Sequence, residues 1–218
     1  MELAEHLLGP QALARHAGRI AFRCDGSEVS YADLAERVAR ASGAFRALGL
    51  APGERVLLLL RDTPAFAAAW LGAVHAGGVA IGLNTRLSEA EYRHVCADSE
   101  VRISVIEDRF VQARPDLATE FAASGVLMVE GEQVSSGLRS WRDLLASPTP
   151  GPRAHASLPY DPAFWLYSSG TTGKPKGIVH SHKDVVVAGQ VLAETLALAP
   201  GERIFVTRFA RLQVGEGG

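Results

Sequence analysis

Cysteine is almost absent from this chain: Cys24 and Cys96 are the only two in 218 residues, and no CxxC pair occurs. Thiols so far apart in sequence indicate neither a disulfide framework nor a cysteine zinc site, and reduced, buried cysteines in the cytosol are the expectation. An excess of charge is lacking too, since 22 Lys and Arg against 24 Asp and Glu leave a formal net charge of −2. A chain so balanced has no bulk attraction for nucleic acid or an acidic membrane, so any anion it binds must be held locally. Residues 1–6 carry early acids and no long apolar core, which is not the pattern of a secretory signal. The one stretch of membrane-spanning length, residues 65–83, is mostly Ala and Gly, and Gly77-Gly78 would break a helix at its middle. It reads as a buried helix, a glycine turn and a buried strand, with no membrane span. The rest of the composition is ordinary for a globular chain with a sizeable core: 47% hydrophobic and 21% charged residues.

Strand and helix patterns alternate. Residues 2–17 read as an amphipathic helix with Leu3, Leu7 and Leu8 on one face, followed by strands at 20–24 and around Val29. Ser30 caps a helix, with Asp33 three residues on, that Gly49 ends. Residues 56–60 are apolar on both faces, which predicts a strand covered on each side. Further expected elements are a helix from Thr63-Pro64, a strand at 79–83, a helix from Ser88 to about 98, a strand at 101–107, a weaker helix at 110–123, a strand at 125–129 and a helix at 138–145. Residues 147–162 hold five prolines and no periodicity, the composition of a linker. Beyond it, apolar strands at 164–167 and 178–180 flank a polar loop, then come a helix at 183–198, a Pro200-Gly201 stop and a strand at 204–207. The expectation is an α/β fold of layered, mainly parallel sheets flanked by helices, with a first lobe at 1–146, the linker at 147–162 and the start of a second lobe at 163–218.

The chemistry concentrates in Tyr167-Ser168-Ser169-Gly170-Thr171-Thr172-Gly173-Lys174-Pro175-Lys176-Gly177, where eleven residues hold four Ser/Thr hydroxyls, three glycines and two lysines. Glycines let backbone N–H groups turn toward a ligand, consecutive amides form a concave anion site, and the lysines add point charges suited to phosphate. A P-loop needs G-x-x-x-x-G-K-[ST] running into a helix. Here Pro175 lies five residues after Gly170, Lys174 precedes a proline, and residues 178–180 are strand-like.

This string, continued by Ile178-Val179-His180-Ser181-His182, resembles the phosphate-loop signature of the adenylate-forming superfamily, which holds acyl- and aryl-CoA synthetases, luciferases and peptide-synthetase adenylation domains. Val29-Ser30-Tyr31-Ala32-Asp33-Leu34, Gly53-Glu54-Arg55-Val56 and Gly77-Gly78-Val79-Ala80 before Leu83-Asn84 resemble it as well, so the likeness runs over about residues 20–207. The resemblance implies an ATP-dependent, AMP-forming ligase acting on a small aromatic or aliphatic carboxylic acid, with Mg²⁺ and with CoA as co-substrate. It assigns ATP phosphate contacts to Ser168, Ser169, Gly170, Thr171, Thr172, Gly173, Lys174 and Lys176, with Lys176 the first choice for the catalytic cation and Lys174 the second. Thr171 or Thr172 would offer a hydroxyl to Mg²⁺. Tyr167 reads as the last core residue of its strand.

The HSH ending and Gly82-Leu83-Asn84-Thr85-Arg86-Leu87 lean toward CoA ligases of the benzoate type. The family's Y-G-x-T-E and T-G-D segments, and its small C-terminal domain with a catalytic lysine, are not found in the sequence, and the tail from Arg208 to Gly218 is unlike the family. The expectation is therefore an N-terminal portion of such an enzyme with little thioester formation of its own. A short nucleotide-binding protein and an inactive remnant are the other readings.

His180 and His182, two apart, are a possible metal pair on one strand face, but two ligands do not make a site. His75 is expected to be a satisfied core histidine, Glu107-Asp108 a solvated strand edge, and Arg37, Arg40 and Arg46 the wet face of their helix.

Overall fold

Alternation along one short strand sets the layering. In β3 (Arg55–Leu59), Val56 and Leu58 join one buried cluster and Leu57 and Leu59 the other, and all four are 0% exposed. A strand with no wet face needs helices on both sides. The computed structural model describes residues 2–132, 134–135, 137–146, 153–168, 174–199, 201–202 and 204. In chain order these form α1 (Leu3–Leu8), α2 (Pro10–His16), β1 (Ile20–Cys24), β2 (Ser27–Ser30), α3 (Tyr31–Ala47), β3, α4 (Pro64–His75), β4 (Val79–Gly82), α5 (Glu89–Ser99), β5 (Val101–Glu107), α6 (Asp108–Ala113), α7 (Pro115–Ser124), β6 (Val126–Glu130), α8 (Trp141–Ala146), β7 (Pro162–Ser168), β8 (Lys176–Ser181) and α9 (His182–Thr195).

Six strands make one sheet in the order β6-β5-β3-β4-β7-β8, in which β3 to β7 are parallel and only β8 runs antiparallel, to β7. Helices α3, α4 and α8 cover one face through Phe45, Phe66, Ala73 and Trp141; α5, α6 and α7 cover the other through Tyr92, Val95, Phe110 and Phe121. The mainly parallel α/β expectation is met. A small cluster built from Ala4, Leu8, Val29, Leu34 and Val38 attaches α1 and the β1–β2 hairpin to the outside of α3 and α4. Helices α3 and α4 approach closely because residue 72 is glycine: a Cβ there would lie 2.5 Å from the Ala41 Cβ.

Several expected boundaries shift, each for a local reason. The helix expected over 2–17 is two helices that meet at Gly9-Pro10, and Leu7 is 43% exposed. Pro10 lacks the N–H that would continue α1 and instead opens α2. Pro115 likewise divides 110–123 into α6 and α7. Residues 147–152 of the proline-rich stretch lie outside the described residues, and beyond it β7 pairs directly with β4 through Ala80–Phe164 and Ile81–Trp165. The strand expected at 204–207 falls almost wholly outside the described residues. No helix among the described residues is long and apolar enough to cross a membrane.

Candidate functional site

Strands β7 and β8 form the two stems of the hydroxyl-rich string. Their ladder ends with Tyr167 opposite Gly177 and Ser168 opposite Lys176, so a hydroxyl and an ammonium face each other where the chain leaves the sheet. That point is the carboxyl end of β7, hence of the parallel strands, where open α/β sheets place their ligands. Ser168, Lys174 and Lys176 are exposed there, and among the described residues neither lysine has an ion-pair or hydrogen-bond partner. Ser169, Gly170, Thr171, Thr172 and Gly173 lie outside the described residues.

The stems are held more firmly than their exposure suggests. Pro175 is buried, and its carbonyl accepts from His94 Nε2 at 2.8 Å. The Tyr167 ring lies across Gly177, where a Cβ would come within 3.1 Å of its Cζ, and its hydroxyl donates to Asp98 Oδ2 at 2.6 Å. Burial first, then the bond to Asp98 and its charge, raise the tyrosine's pKa well above the usual value, so the phenol stays a donor. Tyr167 thus packs as a half-buried core residue and also makes a polar tie. Nearby, Arg55 donates from Nε to the Ser99 carbonyl at 2.6 Å and lies 6.0 Å from the centre of the Trp165 ring.

The two histidines at the end of β8 part company. His180 stacks on its cross-strand neighbour Phe164, with centroids 4.6 Å apart and planes 8° from parallel. His182 is not on the strand at all. It begins α9, is 2% exposed, and accepts the Leu3 amide at Nδ1 over 3.1 Å. Glu2, also buried, caps α1 through the Ala4 and Glu5 amides and sits 3.9 Å from the same nitrogen. Burial dominates in lowering the His182 pKa. The pair therefore shares no face, and among the described residues no group of three or more His, Cys, Asp and Glu is placed to hold a metal ion.

Other expectations divide in the same way. His75 is satisfied as expected, with Nδ1 2.9 Å from Ser42 Oγ, and burial lowers its pKa. Glu107 is not a solvated edge. It is 8% exposed and accepts from the Arg61 amide at 3.0 Å, from Arg61 Nε at 2.8 Å and from Arg109 Nε. Arg37 and Arg40 are on the wet face, Arg40 paired with Glu36, but Arg46 turns inward to the carbonyls of Arg153 and His75. Cys96 is buried and Cys24 half-buried, both free thiols. Reasoning from sequence missed His94, Asp98, Glu107 and the Leu3–His182 bond. The only local signal was the placement of His94 and Asp98 one turn apart behind a Ser88–Glu91 capping box.

An open, mainly parallel α/β sheet with a glycine- and hydroxyl-rich connection at its carboxyl end defines the class of ligand-binding α/β domains. The chain belongs to the AMP-binding enzyme family, whose model matches residues 10–207. It is 36% identical over 207 residues to the 3-hydroxybenzoate--CoA ligase of Aromatoleum sp. (strain CIB), a match covering 95% of this chain and 39% of that protein. The benzoate--CoA ligase of Thauera aromatica is 34% identical over 204 residues, covering 93% of this chain and 38% of its own length. Among solved structures, a benzoate CoA ligase from Burkholderia xenovorans LB400 superposes with a TM-score of 0.78 at 31% identity, over 91% of this chain and 38% of that one. The chain thus spans about two fifths of the length of the relatives it matches.

Proposed function

We propose that this chain supplies the phosphate-binding portion of an ATP-dependent, AMP-forming CoA ligase for an aromatic carboxylic acid. The carrying observation is the placement of Ser168 opposite Lys176 at the mouth of the β7–β8 hairpin, at the carboxyl end of the parallel strands. The relatives' names, 3-hydroxybenzoate--CoA and benzoate--CoA ligase, support the reaction and the acid class.

In this reading the carboxylate oxygen attacks the α-phosphorus of ATP, the bond to the bridging oxygen breaks, and acyl-AMP and pyrophosphate form. The CoA thiol then loses its proton, attacks the acyl carbon and expels AMP. The chain's own contribution is to hold the charge that builds on the β and γ phosphates. Lys176 meets the departing pyrophosphate from the first position of β8, Ser168 donates from the last position of β7, and Lys174 adds a second cation. Backbone amides and hydroxyls of Ser169, Gly170, Thr171, Thr172 and Gly173 complete the grip. Mg²⁺, bound with the nucleotide, would offset the phosphate charge, and a Thr171 or Thr172 hydroxyl would be its ligand from this chain.

Calorimetric titration of the chain with ATP and Mg²⁺ tests this directly. Lys176→Ala removes a charge-assisted contact and is expected to weaken binding roughly 10- to 100-fold. Equal affinity in parent and variant, or no saturable binding by the parent, would overturn the assignment.

A further inference from the structure

We propose that His94 and Asp98 of α5 are positioning residues that fix the two stems of the phosphate loop, His94 through the Pro175 carbonyl and Asp98 through the Tyr167 hydroxyl. The proposal rests on the reading of residues 168–176 as that loop.

Four observations carry it. His94 and Asp98 are four apart on one helix, so they project from the same face of successive turns. Their partners lie 81 and 69 residues away in sequence, on opposite sides of the 169–173 segment. Both bonds are short, at 2.8 and 2.6 Å. The helix is itself anchored: Ser88 and Glu91 form a capping box at its start, the left-handed Glu100 closes its end, and Tyr92, Val95 and Cys96 are buried in the core cluster that Trp165 and Tyr167 pack against. The stems are therefore referenced to a rigid element rather than to each other alone.

The chemistry of each bond is set by its acceptor. A carbonyl can only accept, so His94 Nε2 carries the proton at Pro175. An aspartate accepts from the phenol of Tyr167, and the seat for that ring exists because residue 177 is glycine. The last glycine of the string is thus required by a neighbouring ring. Its φ is not in the left-handed region. Positional error at a phosphate-binding group is costly, with about 1 Å worth on the order of 100-fold in rate. A helix that holds both stems limits that error.

Hydrogen exchange and ATP binding, measured on the same variants of this chain, test the proposal. His94→Ala and Asp98→Ala are expected to raise exchange about fivefold per bond at the stem amides of Tyr167, Ser168, Lys176 and Gly177. Amides of β3 and β5 should not change. Affinity for ATP with Mg²⁺ should fall by a similar factor in both variants. His94→Gln, which keeps a donor, and Asp98→Asn, which keeps an acceptor, should restore exchange and affinity toward the parent values. Unchanged stem exchange in both alanine variants would overturn the brace. Faster stem exchange with ATP affinity intact, while Lys176→Ala loses binding, would overturn the positioning role and leave the phosphate-loop reading standing. If the parent chain does not bind ATP, the phosphate-loop reading fails and the positioning role with it, whereas stem exchange still decides whether the helix braces the hairpin.

Discussion

The interior of the sheet and its outer hairpin are written in the same apolar alphabet but live in different surroundings. Leu57, Leu58, Ile103 and Ile106 of β3 and β5 are 0% exposed, whereas Ile178 and Val179 of β8 are 47% and 53% exposed. Helix α9 shares the contrast, presenting Val187, Val191 and Leu192 to the surface, as does Leu196 just after it. An apolar run states a tendency to be covered; a covering layer decides whether it is. Strands β3 to β6 have helices on both faces, edge strand β6 included, while β8 is the opposite edge of the sheet among the described residues and carries exposed apolar side chains. The same difference separates the two proposed duties, since the lysines assigned to phosphate sit on the exposed arm and the helix proposed to brace the stems packs into the buried half.

The strongest way to sharpen this contrast is to truncate one strand from each region. Leu58→Ala should cost about 2–5 kcal/mol, because it opens a void between β3 and the α3–α4 layer. Val179→Ala should stay within about 0.5 kcal/mol. Urea denaturation of both variants measures the difference, and equal losses would mean that β8 is covered in solution. A smaller effect is expected at the polar hub of the buried half. Glu107→Gln keeps the shape but turns one acceptor oxygen into a donor facing Arg61 or Arg109, at a cost of about 1–3 kcal/mol in the same assay.

A smaller effect still, and the only one that depends on pH, comes from the joint between the two regions. Burial lowers the His182 pKa, so the unfolded chain binds its proton first and the histidine's contribution is intact above the ordinary value of 6.5. That contribution is lost as pH falls through the folded pKa. Asp161 opposes the shift, His155 adds to it, and His75 follows the same rule. Burial raises the pKa of Glu2 and Glu130, whose contributions are lost as pH rises above about 4.5, the opposite sense. His182→Asn keeps an acceptor for the Leu3 amide without titrating, so its stability should fall less steeply below pH 6.5 than the parent's. Parallel slopes would remove His182 from the account.

Much of the fold was legible because two-sided burial forces continuous apolar strands and because caps are local. The runs at 56–60 and 101–107, and the Ser30–Asp33 and Ser88–Glu91 boxes, needed no distant information. The breaks at Pro10 and Pro115 were legible in principle, since a proline inside an apparent helix can mark a new start. The glycine and lysine string marked the candidate site, and its residue types carry the proposed phosphate chemistry. The contacts around its stems were not legible. Asp98 and Tyr167 have no shared period, Glu107 looks like any strand-end acid, and His182 looks like half of a metal pair until β8 ends one residue before it. Such partners are chosen by strand order and by the tilt of helices on the sheet, and neither is written locally.

The bond from the Leu3 amide to His182 spans 179 residues. On a ribosome adding about 5–20 residues per second, α1 would emerge roughly 10–40 s before its acceptor exists. Ala4 and Leu8 can pack on α3 and α4 within that interval, whereas the Leu3 amide waits for its partner until α9 has begun.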